Sequence, residues 1–407
     1  MNIPPYFDVN TNHPLNNNSQ NYNVFSKYIS INSQDRDITK YPNASAFEIE
    51  FPQDYLNVYD ISVYYWSFPG NMDPFRPTSN NVFIRFKITD PYNPGANGLS
   101  DPLQQAIFTA LFYNNGYYNV FIDKGVYNYS QMTTELTNKF NAVVSEYIIQ
   151  YFQENGYSNL INEFIASGRY TQFIVVYNLV KRNIWIGNRS SGFSINNPGK
   201  TDNPSPKDCT LLFGNTLPNE QSTVGLFGYL GFVGTDQYSD TANDTRFYYG
   251  DVVAGDNGHW LTPDPGLPGC SCSFMEAPNK LNLLGSDYYY MELAGYNCID
   301  ETSPYNLSTF TKETNQTNGI VDSSIMKIFI PSNLNNSESV VNFSDKNYSN
   351  LFPYKYFNPP AERIRKMAIR VRYHDGTLAD FGNFTWSITL KLTLLSPQIN
   401  RKFNRVF

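Results

Sequence analysis

At 407 residues with 41% hydrophobic content, the chain has the material for a full core, which excludes an intrinsically disordered protein. Its net charge of -7 excludes a general nucleic-acid binder, because neutralising a phosphate backbone needs clustered Lys and Arg. Aromatic residues reach 16%, with 32 Tyr and 30 Phe against 4 Trp, a bias that favours strands and tyrosine-lined contact surfaces.

Residues 1–25 are polar and Asn-rich and contain Pro4, Pro5 and Pro14, so they read as an extended arm without a core of its own. The same segment has neither the basic start nor the apolar centre of a signal peptide, and no apolar run reaches the length of a membrane span. Synthesis in the cytoplasm is the resulting expectation. Strands are predicted at Tyr28–Ile31, at Phe47–Phe51, where Phe47, Ile49 and Phe51 alternate with Glu48 and Glu50, at Val58–Trp66 and at Val82–Ile88. Residues 90–103, with Pro91, Pro94, Gly95, Gly98 and Pro102, read as loop, followed by a strand at Tyr118–Ile122.

One helix stands out at about 129–154. Asn128 or Ser130 can cap it, and Met132, Leu136, Phe140, Val143, Val144, Tyr147, Ile148 and Tyr151 recur at helical spacing. The stripe suits a helix packed on the core; a partner-binding helix is the other reading. Strands resume at Phe173–Tyr177, Ile184–Asn188, Phe193–Ile195, Leu211–Phe213 and Leu226–Phe232. The Gly-, Pro- and Asp-rich stretch 234–285 reads as a long surface excursion, and strands return at Tyr288–Leu293 and Ile325–Ile330.

The clearest pattern is C-terminal. Met367, Ile369, Val371 and Tyr373 alternate with Ala368, Arg370 and Arg372, and after His374-Asp375-Gly376 a second alternation runs through Trp386, Ile388, Leu390, Leu392 and Leu394. Two half-buried strands joined as a hairpin across the Asp-Gly turn are predicted, each with one apolar face. The whole pattern gives an all-β protein: an antiparallel β-sandwich over residues 26–396, with insertions at about 90–117, 234–285, 301–323 and 332–356 and a tail at 397–407. Basic residues outnumber acidic ones between Lys355 and Arg405, which suits either a solvated strand face or contact with an acidic partner.

Candidate chemistry is sparse. Cys270 and Cys272 form a C-x-C pair without a second pair at zinc-ligand spacing, while Cys209 and Cys298 stand alone, so neither a metal centre nor a disulfide framework is indicated. Asp35-Arg36-Asp37 offers two carboxylates for acid-base work or calcium, but the intervening Arg36 and the lack of regular oxygen spacing suit a fixed ion-pair corner. His374 lies in a turn that needs no histidine chemistry, and the sequons at Asn43, Asn188 and Asn383 follow from the abundance of Asn, Ser and Thr. Phosphate-binding, nucleophile-elbow and zinc-protease motifs do not occur.

Five blocks carry a resemblance: SQDRDITKYPNASAFEIEFPQDYLNVYDISVYYWSFP at 33–69, GVYNYSQMTTELTNKFN at 125–141, FIVVYNLVKRNIWIGN at 173–188, GYLGF at 228–232 and KMAIRVRYHDGTLADFGNFTWSITLKL at 366–392. In this order, and with the closing D-G-x-L-x-D-F-G-N of Asp375–Asn383, they resemble virion structural proteins of the nucleocytoplasmic large DNA viruses, the giant viruses of algae and protists. The resemblance implies a minor capsid or penton-type protein on a jelly-roll-like sandwich. It also implies a virion location after synthesis in the host cytoplasm. The implied partners are the major capsid protein, other minor capsid proteins and copies of the chain itself. It assigns no catalytic, cofactor-binding or metal-binding residue. The segments 234–285 and 301–323 have no counterpart in it. Two rival readings are a surface-exposed penton or carbohydrate-binding host-attachment module and a glycoside hydrolase on a sandwich, the latter needing two carboxylates about 5 to 9.5 Å apart.

Overall fold

The computed structural model describes residues 22–70, 72–77, 81–196, 225–233, 236–242, 245–246, 259–285, 288–303, 320–330, 342–344, 354–374 and 378–397. Strands dominate, and every pairing between them is antiparallel. The residues read from sequence as one sandwich fall into two compact units. Unit 1 takes residues 1–72, 286–303 and 320–407, and unit 2 takes 73–285 and 304–319. Strands and helices are numbered along the whole chain.

Unit 1 contains β1 (Tyr22–Asn32), β2 (Ala46–Pro69), β13 (Tyr288–Leu293), β14 (Ile299–Ser303), β15 (Ile320–Ser324), β16 (Met326–Phe329), β17 (Asn342–Ser344), β18 (Tyr354–Arg372) and β19 (Ser387–Pro397). Its seven-stranded sheet has the order β1-β19-β2-β18-β13-β16, with β17 also on β2, while β14 and β15 form a separate ribbon. The expected alternation is present: Met367, Ile369, Val371, Tyr373, Trp386, Ile388, Leu390, Leu392 and Leu394 are all buried. The expected hairpin is not. β18 and β19 each pair with β2, which runs between them, so the two alternating strands are not hydrogen-bonded neighbours. After β18 the chain folds back only briefly, where Ala379 N–H donates to the Val371 carbonyl at 2.9 Å. It then turns through Gly382, whose φ of +54° favours glycine, and continues to β19. The Asp-Gly turn itself lies outside the described residues, as do arm residues 1–21; Tyr22–Phe25, expected in the arm, belong to β1.

β2 closes the core of this unit. Phe47 and Phe68 lie on the one strand, and a straight strand would hold them roughly 70 Å apart. Both rings nonetheless meet Trp386, Phe47 at 5.6 Å between centroids and Phe68 stacked at 5.3 Å. The strand therefore bends back over its own sheet. Asn57, with φ of +53°, marks one break in the extended backbone, at a residue type that enters the left-handed region at low cost. Trp386 also fixes the segment between β1 and β2. Its indole N–H donates to the Ala44 carbonyl at 3.0 Å, its backbone N–H donates to Ser33 Oγ at 3.0 Å, and Ser33 N–H donates to its carbonyl at 2.9 Å.

Unit 2 contains β3 (Phe83–Asp90), α1 (Pro102–Phe112), β4 (Tyr118–Phe121), α2 (Tyr129–Glu154), α3 (Ile161–Ala166), β5 (Phe173–Asn178), β6 (Asn183–Asn188), β7 (Gly192–Asn196) and α4 (Gly225–Tyr229). It continues with β8 (Asp236–Tyr238), β9 (Asp240–Ala242), β10 (Thr245–Arg246), β11 (His259–Leu261) and β12 (Cys272–Glu276). Two four-stranded sheets, β4-β3-β7-β8 and β5-β6-β12-β9, enclose its core with α2, and β10 and β11 form a ribbon. Phe86 of β3, Phe140 of α2 and Phe173 of β5 meet at centroid distances of 4.6 to 5.2 Å.

α2 has the expected boundaries. Asn128 caps it reciprocally with Gln131, and Met132, Leu136, Phe140, Val144, Ile148 and Phe152 form its buried stripe. The helix also completes a sheet edge. β5 is an end strand, and Asn141 of α2 both accepts from Phe173 N–H at 3.0 Å and donates to Phe173 O at 2.9 Å, while Val175 N–H donates to Thr137 Oγ1 at 3.0 Å. Side chains of a helix here stand in for the missing strand and block the edge against further pairing. Asn141→Leu is expected to lower stability by about 1–3 kcal/mol, since it leaves one donor and one acceptor of Phe173 without partners. Urea midpoints and faster exchange of the Phe173 amide check it.

Several stretches read as insertions are structured. Residues 90–117 contain α1, which buries Leu103, Ala106, Ile107, Phe108, Ala110 and Leu111, so it is a core helix rather than loop. Within 234–285, Leu261, Leu267, Cys272, Met275 and Ala277 are buried, and β12 is a central strand, so residues 259–285 are part of the core rather than a surface excursion. The packing is close: a Cβ on Gly187 of β6 would meet Leu261 Cδ2 at 2.7 Å and Trp260 Cη2 at 2.8 Å. Leu226–Tyr229, expected as strand, is helical in α4, whereas 211–213 lies outside the described residues. The insertions at 301–323 and 332–356 contribute ends of β14 and β15, all of β17 and the start of β18. No helix among the described residues is long and apolar enough to cross a membrane.

Candidate interaction surface

Because side chains alternate across a strand, burying Ile29, Ile31, Ile388 and Leu390 sends Tyr28, Ser30, Thr389 and Lys391 to the other face of the unit 1 sheet. That face carries aromatics. Tyr28, Tyr59, Tyr64, Tyr65, Tyr354 and Tyr356 are all exposed. Two of them owe their position to irregularities in the pairing of β2 with β19. Tyr65 opposes Thr389 while Val63 opposes Leu390, so Tyr64 is the extra residue of a bulge; Tyr59 is likewise extra between Asp60 and Val58. A bulge re-aims the side chain it adds, and here each adds a tyrosine to the solvent side.

The rings are held rather than free. Tyr28 and Tyr64 make an edge-to-face contact at 4.9 Å, Tyr59 meets Tyr356 at 5.5 Å and Tyr356 meets Tyr354 at 4.7 Å. Rings ordered in this way lose little further freedom when a partner covers them, and each offers an apolar body with a hydroxyl at its tip. The face has the anatomy of a contact surface.

Beside the tyrosines runs a charged strip. Lys366 pairs with Glu48 at 3.3 Å, Arg365 with Glu50 at 2.7 Å and Arg363 with Asp54 at 3.6 Å. Glu292 of β13 takes both Arg370, at 3.5 Å, and Arg372. Arg372, expected on the solvated face, is buried, and its guanidinium also lies over the Tyr290 ring. Much of the C-terminal excess of base is thus answered by acids of neighbouring strands. Beside Glu50 the Arg365 guanidinium is held above its ordinary pKa by that carboxylate.

The sequence candidates for chemistry scatter. Asp35-Arg36-Asp37 is a corner, but Arg36 donates to the carbonyls of Ser33, Tyr41 and Pro42, and Asp37 accepts from the Thr39 and Lys40 amides. Cys270 donates to the Asp264 carbonyl at 3.2 Å and burial pushes its thiol up, while Cys272 is buried in β12. Cys298 is exposed in unit 1, His374 lies two residues beyond β18 with its ring 5.9 Å from that of Tyr290, and Cys209 lies outside the described residues. Among the described residues no three of His, Cys, Asp and Glu come together to hold a metal. Asn188 is fully buried and binds the amides of Ser190 and Ser191 and the Tyr170 hydroxyl, which makes it inaccessible as a glycan acceptor. Burial pushes the Tyr170 phenol up to about 12. Composition points to tyrosine-lined contact surfaces but not to these residues, because the bulges at Tyr59 and Tyr64 interrupt the alternation that would assign them to a face.

No family model and no curated protein matches the sequence. Among solved structures, the crystal structure of the mavirus penton protein is similar at 10% identity and a TM-score of 0.36, covering 91% of this chain and 99% of its own. A Sputnik virophage structure from cryo-electron microscopy is similar at 12% identity and a TM-score of 0.37, covering 91% and 98%. At these values the likeness carries no functional weight.

Proposed function

We propose that the chain is a structural virion protein, a minor capsid component that makes lattice contacts with major capsid capsomers and neighbouring minor proteins through the outer face of its unit 1 sheet. The observation that carries this reading is the set of exposed tyrosines held in ring contacts, Tyr28, Tyr59, Tyr64, Tyr354 and Tyr356, with Tyr65 exposed beside them. A monomer that worked alone would gain nothing from holding so much aromatic surface in water, whereas a coat component covers it on assembly. The block resemblance to giant-virus virion proteins supports the same reading, and a jelly-roll-like arrangement, synthesis in the host cytoplasm and a non-enzymatic role go with it.

A variant carrying Tyr28→Ser, Tyr64→Ser, Tyr354→Ser and Tyr356→Ser tests it. These side chains lie outside the core, so the protein is expected to fold with a circular-dichroism spectrum like that of the parent and to enter particles at a fraction of the parent level. Normal incorporation would sink the lattice role of this face. Protease treatment of intact and detergent-opened virions supplies the companion result: protection until opening is expected, and cleavage in intact particles would favour a surface-exposed penton or carbohydrate-binding attachment module.

A further inference from the structure

We propose that the strip formed by Glu48, Glu50 and Asp54 on β2 and Arg363, Arg365 and Lys366 on β18 docks a second copy of this chain about a two-fold axis parallel to the two strands. The two rows lie on hydrogen-bonded neighbours, Lys366 opposite Glu50 and Arg363 opposite Leu56, so they form parallel stripes about 5 Å apart, one acidic and one basic. The register breaks between Ile364 and Lys366, where residues 51–54 of β2 stand against Arg365 alone, and Arg365 and Lys366 both keep exposed side chains. All six side chains remain between 34% and 66% exposed despite their pairing within the chain, so each has room for a second ion.

Symmetry decides which docking is favourable. Turning a copy over about an axis that runs along the strands lays its basic stripe on the acidic stripe of the first, and the reverse, in one isologous contact. An axis across the strands would set acid on acid and base on base. A partner of single-sign charge would satisfy one stripe and oppose the other. The surface that fits must carry both stripes in the same order, and this chain presents such a surface. Leu56 and Tyr356, both more than half exposed beside the strip, add apolar contact to the charge network. Alternating charges shared across the axis form a network, which contributes more than isolated surface pairs do. The pairing concerns the purified protein in solution and stands or falls separately from the virion reading.

The test is sedimentation of the full chain at about 0.01 M and about 1 M salt, between which the screening length falls from roughly 30 to roughly 3 Å. A dimer at low salt that weakens at least about tenfold at high salt is expected. The acid-reversed variant Glu48→Lys/Glu50→Lys/Asp54→Lys and the base-reversed variant Arg363→Glu/Arg365→Glu/Lys366→Glu should each be monomeric alone, and their equimolar mixture should form a heterodimer. Should either triple variant fail to fold by circular dichroism, Glu50→Lys and Arg365→Glu carry the same comparison. A monomeric parent at low salt overturns the proposal. So does a mixture that stays monomeric, or a dimer that survives in both reversed variants.

Discussion

Ile388→Asp is expected to abolish folding of unit 1, with a loss of about 4–5 kcal/mol or more set against a typical total of roughly 5–15 kcal/mol. Ile388 is fully buried in β19, between Ile31 on β1 and Trp66 on β2, which are buried as well. The substitution removes a side chain whose burial contributes about 1.5–3 kcal/mol and puts a carboxylate in its place. No cation faces that position across either neighbouring strand, because Ile31 and Trp66 are its partners there. The aspartate must stay protonated or drag water into the core, and either outcome is costly. Thr389→Asp is the control. Its side chain points to the outer face between Ser30 and Tyr65, so a change of about 0.5 kcal/mol is expected. Soluble yield and urea midpoints of the two variants decide the matter: a folded Ile388→Asp beside an unfolded Thr389→Asp would reverse the faces of the sheet.

Trp386→Ala should lower stability by about 3–5 kcal/mol, because the ring is the meeting point of a strand that bends back on itself. Truncation leaves a cavity between Phe47, Phe68 and Phe381, and it leaves the Ala44 carbonyl without its donor. Trp386→Phe separates the two contributions. It keeps an aromatic body against Phe68 and gives up the indole hydrogen bond, so a loss of about 1–2 kcal/mol is expected. Chemical denaturation gives both values, and hydrogen exchange adds a local readout: the Ser33 amide, bonded to the Trp386 carbonyl, should lose protection in the alanine variant before the β19 amides do. If the phenylalanine variant were as unstable as the alanine variant, the hydrogen bond to Ala44 and not the ring stack would hold the bend.

Not every element was equally legible, and the misses have causes. α2 shows in sequence because a polar face sets off its stripe and Asn128 with Gln131 supplies a cap. α1 does not, although Asp101 caps it and Pro102 occupies its first turn, because its apolar residues crowd most of the circumference and leave little polar periodicity to detect. The stretch 234–285 hides its core residues for a different reason. A Gly- and Pro-rich turn separates Leu261 from Cys272 and Met275 of the short strand β12, so no run is long enough to show a period. Arg372 is misplaced because alternation assigns it to the solvent face, while Glu292 and the Tyr290 ring, distant in sequence, give a guanidinium a satisfied place in the interior.

The interaction surface divides along the same line. Local pattern alone identifies which side of each C-terminal strand is buried, since the period of two is a property of extended backbone and needs no knowledge of neighbours. It also identifies the helix at 129–154, because cap and stripe lie within one segment. That β2 runs between β18 and β19, that its bulges turn Tyr59 and Tyr64 outward, and that Glu48, Glu50 and Asp54 stand beside Lys366, Arg365 and Arg363 emerges from the folded sheet. These are matters of strand order and register. Alternation records that a face is covered, but the hydrogen bonds that choose the neighbour join backbone groups alike in every residue, and the choice between them is made by packing across some 300 residues of intervening chain.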